Sequence, residues 1–177
     1  MNKRALYFSL FYTATVIIFK LIILLGGYTL SKFGFYYSNI IGIVLVIPFM
    51  FLAVYLAREK DYMGILGGKE AVRIALTVLA VSTILISIYN YIEFDWKYKD
   101  LAVQYYNSTE YLEILMKQQA RYPDKIKTEN FPKIIEEQIS QLSTFKATTG
   151  KLIPMMLFGL GGAFLTAITL KRNRKNT

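Results

Sequence analysis

Four long stretches almost free of charge decide what this chain can become. They run over residues 5–25, 40–57, 71–92 and 152–170, and only Lys20 and Arg73 interrupt them. Each is long enough to cross a bilayer, since about 20 helical residues rising 1.5 Å apiece span the hydrocarbon core. A helix that is apolar on every face must lie in lipid or at the centre of a large core, and a chain of 177 residues has no room to hide four of them. The chain is 54% hydrophobic with mean hydropathy +0.36, despite 21 lysines and arginines, because the charges fall between the apolar blocks. These facts predict an all-α protein: a four-transmembrane-helix bundle with an extramembrane helical hairpin inserted between helices 3 and 4. Residues 1–95 hold the first three spans (about 5–27, 38–57 and 70–93), 96–150 the hairpin, and 151–177 the fourth span and a basic tail.

The opening Met1-Asn2-Lys3-Arg4 could begin a signal peptide. The apolar run behind it is too long, however, and contains Lys20, and Gly26-Gly27-Tyr28-Thr29-Leu30 offers no small-residue cleavage site. A retained first span is expected. The chain contains neither cysteine nor histidine, which excludes thiolate and imidazole metal sites, thiol nucleophiles and histidine-based triads. No cofactor is implied.

Orientation follows from lysine and arginine in the short flanks. Lys3 and Arg4 precede span one; Arg58, Lys60, Lys69 and Arg73 lie around the second connection; Lys171, Arg172, Arg174 and Lys175 form the tail. The first connection has only Lys32. All three clusters fall on one side, so the prediction is a multi-pass protein of the bacterial inner membrane with both termini cytoplasmic and the insertion periplasmic. Residues 93–151 hold nine basic and nine acidic residues, so the net charge of +9 is almost wholly orientation signal. That placement suits anionic lipid and argues against nucleic acid as a partner. Tyr28, Tyr36, Tyr37, Tyr89, Tyr91 and Trp96 near the outer boundary, and Tyr7, Tyr55 and Tyr62 near the inner one, read as interfacial belts.

The insertion is too long for a structureless loop. Leu101, Tyr105, Ser108, Leu112 and Leu115 recur at helical spacing, as do Phe131, Ile135, Gln138, Leu142 and Phe145 beyond the break at Tyr122-Pro123-Asp124. Pro132 suits the first turn of the second helix, with Asn130 or Thr128 as its cap. The prediction is an antiparallel hairpin with facing apolar stripes, its first helix continuing from span three and projecting on the order of 40 Å. The stripe Leu101, Tyr105, Leu112, Leu115, Phe131, Ile135 and Leu142 is either a stalk's own seam or a surface for a partner.

Lys20 is the most unusual residue, a charge roughly 10 Å deep in an apolar span. Either its stem snorkels to the interface, or it faces the bundle and pairs with Glu93, Asn90 or Asn39, with the Val44 carbonyl freed by Pro48 as a further acceptor. Lys20, Asn39, Asn90 and Glu93 are therefore a candidate intramembrane polar cluster. In span four, Gly159, Ala163 and Ala167 lie four apart, a candidate packing face toward another span or another subunit. The run Gly64-Ile65-Leu66-Gly67-Gly68-Lys69 lacks Walker spacing and reads as a turn. Glu93, Asp95, Glu136 and Glu137 have no partners that suggest acid–base catalysis, and no catalytic residues emerge.

The order of features also carries a resemblance. Leu66-Gly67-Gly68-Lys69-Glu70-Ala71 leads into a span ending Tyr89-Asn90-Tyr91-Ile92; a charged helical insertion follows, then a Gly-rich last span closing in Leu170-Lys171-Arg172. This resembles a Bacteroidota-type inner-membrane family catalogued as domain of unknown function 4199. The resemblance implies a four-span inner-membrane protein and no established activity, cofactor or catalytic residue. From the residues, the leading expectation is a non-enzymatic subunit or scaffold that binds a protein partner or a second copy through the hairpin or the span-four face. The alternative is a small transporter or channel component built around Lys20.

Overall fold

The computed structural model describes residues 2–31, 33–123 and 125–171. Met1, Lys32, Asp124, Arg172, Arg174 and Lys175, and the side chain of Tyr36, all used above, lie outside the described residues. Every long element among the described residues is a helix: α1 (Lys3–Leu25), α2 (Ser38–Asp61), α3 (Gly68–Glu93), α4 (Lys99–Tyr106), α5 (Thr109–Arg121), α6 (Phe131–Ser140) and α7 (Thr144–Leu170). Helices α1, α2, α7 and the continuous run from Gly68 to Tyr106 are each long and apolar enough to cross a membrane.

The helices outrun the apolar stretches because hydropathy marks lipid contact, whereas backbone hydrogen bonding continues into water. α2 carries on to Asp61, and α7 begins at Thr144, capped by the Ser143 hydroxyl, well before the apolar run opens at Leu152. α1 starts at an Asn2 cap whose side chain accepts from the Arg4 and Ala5 amides, and it stops at Gly26-Gly27. Gly27 takes φ +74°, the left-handed conformation that glycine adopts without a Cβ clash.

Packing follows a ring, α1–α3–α7–α2, with α2 and α3 also touching across the centre. Alternate helices run in opposite directions, which puts Asn2 and Leu170 at the same end. There Arg4 Nε bonds Asp61 Oδ1 at 2.9 Å, and Arg58 reaches the Leu170 carbonyl. The bundle is inside-out compared with a water-soluble one. Small residues such as Ala53, Ala57, Ala71, Ala75 and Ala163 fill the interior, while Leu157 and Leu165 remain 67% and 65% exposed. Outward leucine and inward alanine is the arrangement expected where the surroundings are lipid.

The insertion departs from the predicted hairpin. It is a cap of three short helices, α4, α5 and α6, over the end of the bundle opposite Asn2 and Leu170. α3 does continue, through a π-helical turn (Phe94–Tyr98) into α4, but it ends at Tyr106. The projection past Glu93 is therefore only about 20 Å at 1.5 Å per residue. The break comes at Ser108, which does not extend the stripe: its hydroxyl caps α5 by accepting from the Tyr111 amide. Pro132 does occupy the first turn of α6, after a 3₁₀ turn over Thr128–Asn130, but the Asn130 side chain makes no capping bond.

Candidate functional site

Where the bundle meets the cap, two helices carry π turns at the same level. One (Phe33–Tyr37) leads into α2 just before Ser38 and Asn39; the other follows α3 just after Asn90 and Glu93. A π turn widens the helix by one residue and is found disproportionately at functional sites. The first is held close to the chain that precedes it: a Cβ at Gly34 would run into the Tyr28 carbonyl, and the Gly34 amide bonds Ser31 Oγ at 3.1 Å.

Lys20 points into this region and not to the interface. It is 9% exposed, and its ammonium donates to Asn90 Oδ1 at 2.7 Å and to Glu93 Oε2 at 2.5 Å. Glu93 Oε1 in turn accepts from the Tyr89 hydroxyl at 3.0 Å, one helical turn back on α3. The Tyr89 ring lies 5.3 Å from the Lys20 ammonium, so this tyrosine serves the cluster as well as the boundary where the sequence placed it.

The register that brings these groups together is simple. On α1 the buried positions Ser9, Thr13, Val16 and Lys20 recur at four- and three-residue steps, and on α3 so do Ser82, Ile86, Asn90 and Glu93. The two helices run parallel and adjacent, so their inward stripes meet as a seam. Ser82 Oγ approaches the Ser9 carbonyl low in the seam, and Lys20 meets Asn90 and Glu93 at its top.

A cavity of about 40 Å³ opens beside Lys20, lined by all four spans: Tyr12 and Lys20 from α1, Ser38 and Asn39 from α2, Asn90 from α3 and Lys151 from α7. The Tyr12 hydroxyl donates to the Gly42 carbonyl at 2.6 Å, tying α1 to α2 at the cavity floor. Asn39 lines the cavity with Lys20, whose ammonium bonds Asn90 and Glu93 and not the Val44 carbonyl. Sequence reasoning missed Lys151. By composition it belongs with the charges of the insertion, yet it sits a turn before Pro154 inside α7, half-buried, within electrostatic reach of Lys20 and Glu93. Its ammonium lies over the Tyr98 ring at 4.6 Å. The available signal was the helical run 144–151, which carries Lys151 onto the inward face together with Met155.

The other candidate residues are packed within the chain. Gly159, Ala163 and Ala167 are buried in α7. A Cβ at Gly159 would overlap Leu79 of α3, and one at neighbouring Gly162 would lie 2.7 Å from Ile47 of α2, so the small-residue face lets α7 approach two other spans. In the cap, Tyr105, Leu115 and Phe131 are buried against Tyr111, with Leu112 and Ile135 packed alongside. Leu101 and Leu142 are half-buried, and Ala102, not Leu101, takes the fully inward position. The stripe thus forms the cap's own interior, while Phe145, which the spacing placed on it, is 74% exposed.

The family described as Protein of unknown function (DUF4199) matches residues 3–172, nearly the whole chain. The chain belongs to this family. No curated protein and no solved structure matches it. In this DUF4199 member the Lys20 cluster is the place where the bundle buries an ion pair. Among the described residues no group of three or more acidic, cysteine or histidine side chains could hold a metal.

Proposed function

We propose that this chain is a small, non-enzymatic protein of the bacterial inner membrane, with both ends cytoplasmic and the three-helix cap periplasmic, whose working part is the Lys20–Glu93 cluster. It acts as a transport or channel component that admits a small charged species from the capped side. The orientation is supported by Arg4, Arg58 and Lys171 lying together at the end opposite the cap.

One observation carries the functional reading: an ion pair buried between α1 and α3 borders a cavity lined by all four spans. Ionisable groups inside a bundle are costly, and where they occur they point by default to a pathway or binding site. The expected docking surfaces offer the subunit or scaffold alternative less, because the stripe and the Gly159 face are covered by the chain's own residues.

The competing explanation is a lock that fixes helix register, and two variants separate them. Glu93→Gln leaves Lys20 buried without its counter-charge and should lower stability by about 3–5 kcal/mol, whereas Lys20→Met with Glu93→Gln removes both charges and should recover most of that loss. In vesicles reporting ion flux under an imposed potential, the wild-type chain should exceed empty vesicles and the stable double variant should not. Flux equal to that of empty vesicles, or flux retained by the double variant, would overturn the proposal.

A further inference from the structure

The hydrogen-bond count at Lys20 points to what the cluster carries, an inference that rests on the cluster being the working part. A lysine ammonium has three N–H donors and no acceptor. Two of those on Lys20 go to Asn90 Oδ1 and Glu93 Oε2, and the side chain of Lys151 lies in hydrogen-bond contact with the same nitrogen. Two such nitrogens can bond only if one supplies a lone pair, since two ammonium groups merely repel. Lys20 touches the Glu93 carboxylate and keeps the charge, so Lys151 is the partner left to accept, as a free amine. Every N–H of Lys20 is then used. One ammonium also faces one carboxylate, a neutral set in surroundings where net charge is costly.

The groups around Lys151 fit that assignment. Among the described residues no carboxylate lies within ion-pair distance of it. Both oxygens of Glu93 on α3 are engaged, by Lys20 and by the Tyr89 hydroxyl, and Asp95 of the π turn accepts from Thr144, two turns earlier in α7. Tyr98 of the π turn offers its ring face, to which an amine N–H can also donate. From α1 the cavity receives the Tyr12 phenol, and from α2 only the neutral Ser38 and Asn39. Lys151 is half-buried and lines the open cavity, so protons reach it from water. We propose that the two lysines hold one proton between them at rest and that Lys151 Nζ takes up and releases a second. In uptake the Lys151 lone pair forms an N–H bond while an O–H bond of hydronium breaks and leaves water. The hydrogen bond from Lys20 is lost, and the site gains one positive charge. The species admitted to the cluster is thus the proton itself.

The test is acetylation of the purified full chain in detergent, read lysine by lysine by mass spectrometry. Exposed lysines such as Lys117 and Lys133 are almost wholly charged between about pH 6 and 9, so their labelling rates should rise about tenfold per pH unit. The rate at Lys151 should level off within that range, a shape that partial burial does not alter. Lys151→Met leaves the Lys20–Glu93 pair intact. In vesicles holding a pH dye under an imposed potential, it should cut protein-dependent proton uptake at least about tenfold. A Lys151 rate that climbs in step with the exposed lysines would overturn the inference, as would proton uptake unchanged in Lys151→Met. Flux of another ion, with Lys151 charged throughout, would sink the proton and leave the proposed function standing. Level labelling at Lys151 without flux of any ion would do the reverse.

Discussion

The bundle and the cap solve the same packing problem in opposite ways. In the cap the largest side chains go inside: Tyr105, Tyr111, Leu115 and Phe131 meet, with the rings of Tyr105 and Tyr111 5.8 Å apart and those of Tyr106 and Tyr111 edge-on at 4.9 Å. In the bundle many of the largest apolar side chains point outward, while alanine and glycine occupy much of the interior. Water rewards burying area, so the cap invests in aromatic bulk. Lipid tails are as apolar as leucine, so the bundle gains instead from close contact between backbones. One chain thus holds two kinds of interior, and they meet near the π turns.

Three substitutions test that contrast. The largest effect is expected from Phe131→Ala, which empties the centre of the cap at a cost of about 3–5 kcal/mol. Hydrogen exchange should show protection lost across α4 to α6 while the spans stay protected; protection lost equally in the bundle would mean that the two regions share one core. Gly159→Val comes next, at about 1–3 kcal/mol, because the added methyls must displace Leu79. Its readout is the melting temperature in detergent, and an unchanged value would show that α7 does not need its close approach to α3. Smallest is Leu165→Ala, on the outward face, expected within about 0.5 kcal/mol in the same assay. A large loss there would mean that this face is covered by protein and not by lipid.

The four spans were legible because an uninterrupted apolar run needs no partner to be recognised. Lys20, Asn39, Asn90 and Glu93 could be grouped for a related reason: once the spans are laid antiparallel, all four fall at one depth. Lys151 escaped because composition assigns it to the charged insertion, and only the early start of α7 at Thr144 turns it inward. The break at Ser108 escaped because its spacing fits the stripe equally well. A serine followed by an acidic residue in the next turn opens a helix as readily as it continues one, and the hydrogen bond to Tyr111 decides the matter. The three-helix form of the cap depended on that one choice.

The π turn at Phe94–Tyr98 is in effect a phase adjuster between two rotors. Each residue of an α-helix turns the chain by roughly 100°, and the extra residue held in this turn sets the angle at which Ala102 and Tyr105 face the rest of the cap, independently of the angle at which Asn90 and Glu93 face Lys20. The bundle face and the cap face of this 39-residue helix can therefore diverge in sequence without dragging each other out of alignment. Gain or loss of a single codon between them would re-aim the whole cap over an unchanged membrane core.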